Sequence, residues 1–169
     1  ALTTLTAAVR RAIEGVVTIA YVANEGSDVV SVIDVATGVV TGTVPTGDGP
    51  FAVAFLPGGN TAYVANTLAA NVAVVDVASG TVTQTIPVGL VPRSVAVTPD
   101  GSLAYVANVA QRTVSVIDVT SATVIETLNV GIAPLAVAFT PDGSTAFVAN
   151  RVSDNVSIID VATATVTNT

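Results

Sequence analysis

The chain has 169 residues, a length suited to one compact domain, with 51% hydrophobic and only 10% charged residues. Its net charge is −7, all five of its basic residues are Arg, and it has no His and no Cys. That composition excludes disulfides, Ser–His–Asp and Cys–His catalysis, Schiff-base lysines and His- or thiolate-ligated metals, and it gives phosphate-neutralising nucleic-acid binding no basic patch to work with.

In chain order, residues 1–17 form a segment apart from the remainder, 18–169. Two readings of this segment are open. Leu5, Val9 and Ile13 recur at i, i+4 and i+8, Thr3 or Thr4 can cap and Gly15 can stop, which describes a helix over Thr3–Glu14. The other reading is a degenerate inner strand, because Val9–Val17 stands in register with the later segment Phe51–Gly59. Arg10 and Arg11 interrupt any apolar stretch of a signal peptide here. The apolar run Gly15–Ala23 falls well short of the roughly 20 residues of a spanning helix, so no membrane insertion is expected.

From residue 18 onward one pattern repeats. Tyr21-Val22-Ala23-Asn24 returns as Tyr63-Val64-Ala65-Asn66, Tyr105-Val106-Ala107-Asn108 and Phe147-Val148-Ala149-Asn150, each 42 residues on. Asp34, Asp76, Asp118 and Asp160 keep the same spacing, as do Gly47, Gly89 and Gly131, then Pro50, Pro92 and Pro134, then Pro57, Pro99 and Pro141. One period holds four short β segments. In residues 93–129 these are Ser94–Thr98, the turn Pro99-Asp100-Gly101, Leu103–Ala107, Thr113–Val119 and, after Ser121-Ala122, Thr123–Leu128. Four strands in each unit of about 40–45 residues is the signature of a propeller blade. The expected fold is therefore all-β, with about four four-stranded blades. A blade is apolar on both faces and hides them only against its neighbours, which accounts for the low charge content.

The segments "YVAN", Val114–Asp118 and "VAVTPDG" at Val95–Gly101 resemble the YVTN-type β-propeller repeats, over residues 20–169. That resemblance implies a ring with the "VAVTPDG" strand innermost. It also implies a setting at the cell surface or outside the cell, where such repeats are common. The family usually has about seven blades and four periods stand here. The alternatives are a small ring, half of a larger ring formed with a second copy, or part of a longer array.

The candidate chemistry is thin. The four repeated Asp residues end strands in equivalent places, so each is expected to hold its own turn. The Asn of each "YVAN" is read in the same way. An oxygen-only Ca²⁺ site from Asp48 or Asp28 is conceivable but has no dense acidic loop behind it. No cofactor is implied, and the chain is expected not to be an enzyme. The loops that differ between repeats are Glu25–Asp28, Thr67–Ala70, Val109–Arg112 and Arg151–Asp154, with the blade-to-blade loops Gly47–Gly49, Leu90-Val91 and Ile132-Ala133. Their apolar and Arg tips mark an expected protein-contact face: Leu68, Leu90, Val91, Arg93, Val109, Arg112, Ile132, Arg151 and Val152. The expected function is a non-catalytic scaffold for protein–protein interaction or self-assembly. The alternative is a small-molecule-binding or lactonase-like propeller.

Overall fold

The computed structural model describes the backbone of residues 6–10 and all of 18–169. It holds four antiparallel four-stranded sheets, each with its strands in chain order. Blade 1 comprises β1 (Thr6–Arg10), β2 (Ile19–Asn24), β3 (Val29–Asp34) and β4 (Val39–Pro45). Blade 2 comprises β5 (Pro50–Phe55), β6 (Thr61–Asn66), β7 (Asn71–Asp76) and β8 (Thr81–Pro87). Blade 3 comprises β9 (Pro92–Val97), β10 (Leu103–Asn108), β11 (Thr113–Asp118) and β12 (Thr123–Asn129). Blade 4 comprises β13 (Pro134–Phe139), β14 (Thr145–Asn150), β15 (Asn155–Asp160) and β16 (Thr165–Asn168). The first strands neighbour one another in the order β1, β5, β9, β13 and line the axis, while β4, β8, β12 and β16 form the rim.

Of the two readings of the N-terminal segment, the helix is corrected over Thr6–Arg10, which form an inner strand, β1, though not in the register of Val9–Val17, and pair with β2 through Val9↔Ala20 and Thr6↔Ala23. The equivalent pairs in blade 2 are Phe55↔Ala62 and Ala52↔Ala65. The pairing of β1 is therefore shifted four residues toward the N-terminus from a strict 42-residue register, and eight residues connect β1 to β2 against five between β5 and β6. The physical reason is the inner edge of β2. Its backbone N–H and C=O groups need partners, and Thr-Ala-Ala-Val satisfies them better as a strand than as a turn of helix. The remainder of Thr3–Glu14 lies outside the described residues.

The turns repeat as faithfully as the strands. Asp34, Asp76, Asp118 and Asp160 each accept the backbone N–H three residues on, at 2.8, 2.7, 2.7 and 2.8 Å. The Ser or Thr hydroxyl at that residue donates to the same oxygen. In the Pro-Asp-Gly turns, Asp100 accepts from the Thr98 hydroxyl and from the Ser102 N–H and hydroxyl, which holds its carboxyl at about 2. The Asn residues tie the second strand to the third. Asn108 Nδ2 donates to the hydroxyls of Thr113 and Ser115, and Asn150 Nδ2 to Asn155 Oδ1 and the Ser157 hydroxyl. The Asp series holds its own turns, as its equivalent positions implied, whereas the Asn series joins neighbouring strands instead of capping a turn.

The core is a stack of three layers between blades. Each blade has a leading face toward its predecessor and a trailing face toward its successor. On the trailing side stand Tyr21, Tyr63 and Tyr105, Val30, Val72 and Val114, and Val44, Ile86 and Leu128, all buried. On the leading side the pairs Val77 and Val82, Val119 and Val124, and Val161 and Val166 close over them. Tyr21 meets Phe55, and Tyr105 meets Phe139, with ring centroids 5.0 Å apart. Burial raises the Tyr63 and Tyr105 hydroxyls above the usual phenol range, with Asp118 and Asp160 of the following blade adding to it.

Candidate interaction surfaces

Three surfaces stand out: a loop face, a cavity at its centre, and the two end faces of the array. The loop face is built by backbone hydrogen bonds between each blade-to-blade loop and the second-to-third-strand loop of the next blade. Thr67 N donates to Gly49 O at 2.7 Å, Val109 N to Val91 O at 3.1 Å, and Arg151 N to Ala133 O at 3.0 Å. Side chains add to this. Gln111 Oε1 accepts the Leu90 N–H at 3.0 Å and Ser153 Oγ accepts the Ile132 N–H at 2.6 Å. The loop tips named from sequence therefore share one face. Leu68 is 71% exposed and Val152 60%, Leu90, Ile132, Arg112 and Arg151 are exposed, and Val91, Arg93 and Val109 are half-buried.

Arg93 is not a solvated single charge. Its guanidinium lies 4.2 Å above the centre of the Phe51 ring and 3.6 Å from Glu25. Arg112 occupies a turn position at φ 57°, shared with Asp28, Ala70 and Asp154 in the other blades. The Asp28 carboxylate accepts the Gly49 N–H at 2.9 Å. Among the described residues no three His, Cys, Asp or Glu side chains gather to hold a metal.

Beside the inner strands the loop face holds a cavity of about 420 Å³ lined by Phe51, Val91, Arg93, Val109, Leu135 and Arg151. Its inner wall comes from bulges. β5, β9 and β13 each slip register after their first residue, leaving Phe51, Arg93 and Leu135 unpaired, and a bulge of this kind re-aims its side chain. Val91 lines the cavity at φ 58°, where its counterparts are Gly49 and Ala133. A β-branched residue in this left-handed region stores roughly 1–3 kcal/mol of strain.

The end faces are the outer faces of blades 1 and 4, which a half ring or a part of a longer array leaves uncovered within its own four blades. On the trailing face of blade 4, Phe147 is 40% and Val156 47% exposed. Their counterparts Tyr21, Tyr63 and Tyr105, and Val30, Val72 and Val114, are buried. Leu135 and Ala149 are exposed beside them. On the leading face of blade 1, Val35 and Val40 are exposed, where Val77 and Val82 of blade 2 pack against blade 1.

The family described as "Lactonase, 7-bladed beta-propeller" matches residues 17–168. No curated protein matches the chain. Among solved structures, hydrazine synthase of Kuenenia stuttgartiensis is similar at 30% identity and a TM-score of 0.84, over 89% of this chain and 45% of that one. A functionally unknown protein from Desulfotomaculum acetoxidans is similar at 19% identity and a TM-score of 0.73, over 84% of this chain and 48% of that one. The chain spans less than half the length of either. With four blades in order about an axis and a match along almost its whole length, the chain belongs to the lactonase family of seven-bladed β-propellers.

Proposed function

We propose that the chain is a non-catalytic propeller scaffold that docks a protein partner on its loop face. The observation that carries this reading is the set of exposed apolar tips gathered there, with Leu68 at 71% and Val152 at 60% exposure and Leu90 and Ile132 exposed beside them. Apolar tips on one face, with Arg112 and Arg151 among them, have the make-up of an interface. A photoreactive crosslinker placed at Leu68 is expected to trap a protein partner, and the same crosslinker at Gly58, on the opposite face, is expected to trap none. Equal trapping at the two positions removes the reading.

A second reading is favoured by the cavity beside the inner strands. Four apolar side chains and two guanidiniums, with no carboxylate in the lining, suit a small organic anion with an apolar body. The strain held at Val91 fits a ligand site. On this reading 4-phenylbutyrate binds more tightly than its neutral amide, and Arg151→Ala weakens it by about 10-fold, or about 1.4 kcal/mol. Equal binding of acid and amide by titration calorimetry removes this reading.

A further inference from the structure

We propose that the cavity beside the inner strands captures the C-terminal residue of a protein partner. Arg93 and Arg151 hold its α-carboxylate, and the apolar walls hold its side chain. The proposal rests on the reading that the loop face docks a protein, and adds which part of that protein is bound.

The cavity of about 420 Å³ lies within the roughly 300–1,000 Å³ of small-ligand sites, so it takes one large residue and not a folded segment. Its lining joins two chemistries. Phe51, Val91, Val109 and Leu135 are apolar, Arg93 and Arg151 are cationic, and no carboxylate stands among them. Among the described residues the Arg151 guanidinium makes no hydrogen bond or ion pair, although its backbone N–H is held by Ala133. Arg93 keeps donors to spare, because it meets Glu25 through one nitrogen at 3.6 Å while its plane lies over Phe51. Two guanidiniums beside one uncompensated space favour an anion, and their planar forks match a carboxylate. These walls do not depend on what flanks the four blades. Phe51, Val91, Arg93 and Val109 belong to blades 2 and 3 and the loop joining them, and each of those blades has both its neighbours in this chain.

A bare carboxylate would leave the apolar walls unmatched, and an apolar side chain alone would leave two cations facing it. A C-terminal Phe or Leu carries both groups on one Cα, whereas an internal Asp or Glu carries the charge without the apolar body. Protein chain ends are a known object of this kind of capture. The loop tips separate a protein end from a free acid. Exposed Leu90 adjoins Val91 in sequence and exposed Val152 adjoins Arg151, so a chain leading into the cavity crosses apolar surface that a free acid leaves bare.

Titration calorimetry of the 169-residue chain with the synthetic peptide Ser-Leu-Ser-Leu-Phe is the test. The free acid is expected to bind about 10-fold more tightly than its C-terminal amide, and about 10-fold more tightly than 4-phenylbutyrate. Val152→Ser, at an exposed tip, should weaken the peptide about 3-fold without weakening 4-phenylbutyrate. Glu25→Gln should tighten the peptide about 3-fold, because Glu25 and the incoming carboxylate compete for one guanidinium. Glu126→Gln, the same charge change on the rim strand β12, should leave it unchanged. Equal binding of acid and amide overturns the proposal, and so does a Glu25→Gln chain that behaves as Glu126→Gln does. If 4-phenylbutyrate binds as tightly as the peptide and Val152→Ser moves neither, the site takes a free acid and not a protein end. If the crosslinker at Leu68 traps a partner while acid and amide bind alike, the loop face docks its partner by another part and only this proposal falls. Equal trapping at Leu68 and Gly58 removes the loop-face reading and this proposal with it.

Discussion

Tyr105→Ala should lower unfolding stability by about 3–5 kcal/mol, and Phe147→Ala, at the same place in the next repeat, by less than half of that. The two residues share their register, their strand type and their neighbours in sequence. They differ in what lies over them. The Tyr105 ring is fully buried and meets Phe139 edge-on at 5.0 Å, beside Val114, Val116 and Leu128. Removing it leaves a cavity between two blades that the rigid sheets cannot close. The Phe147 ring is 40% exposed, with no sheet over its outer side among the described residues, so its removal returns less surface to water and opens no closed void. Guanidinium unfolding at low protein concentration, where association does not contribute, measures the difference. Equal costs for the two substitutions would mean that the fourth blade is already covered.

Gly131→Ala should cost about 1–3 kcal/mol, although alanine is the smallest possible addition. A Cβ at residue 131 would stand 2.5 Å from Ser153 Oγ and 2.6 Å from both Cγ and Nδ2 of Asn150. Asn150 cannot retreat, because its amide donates to Asn155 and Ser157 from a buried position. The same crowding recurs at Gly89, whose Cβ would lie 2.5 Å from Asn108 Cγ. The repeating Gly is therefore set by the repeating Asn, and the two series belong to one device that joins the blade-to-blade loop to the second strand. Gly58→Ala is the control, since nothing lies within 4 Å of its would-be Cβ. It should shift thermal unfolding little, within about 0.5 kcal/mol. A neutral Gly131→Ala would show that the loop yields where the structure has it pinned.

The sequence by itself determined the period, the four strands of each blade and the duty of the repeated Asp. These depend on short-range chemistry. A carboxylate that caps a turn reaches a backbone N–H three residues away, and an apolar strand declares itself within six residues. The loop tips were also placed on one face, because blade topology puts equivalent loops together. Tertiary structure decided the rest. The helical pattern of Leu5, Val9 and Ile13 gave way over Thr6–Arg10 because β2 offered an unpaired edge, which no local propensity records. Arg93 finds Phe51 from a neighbouring blade 42 residues away. Phe147 and Val156 read in sequence like their buried counterparts. Burial is a property of the pair of surfaces, not of the residue, and only the stacked sheets reveal which surfaces meet.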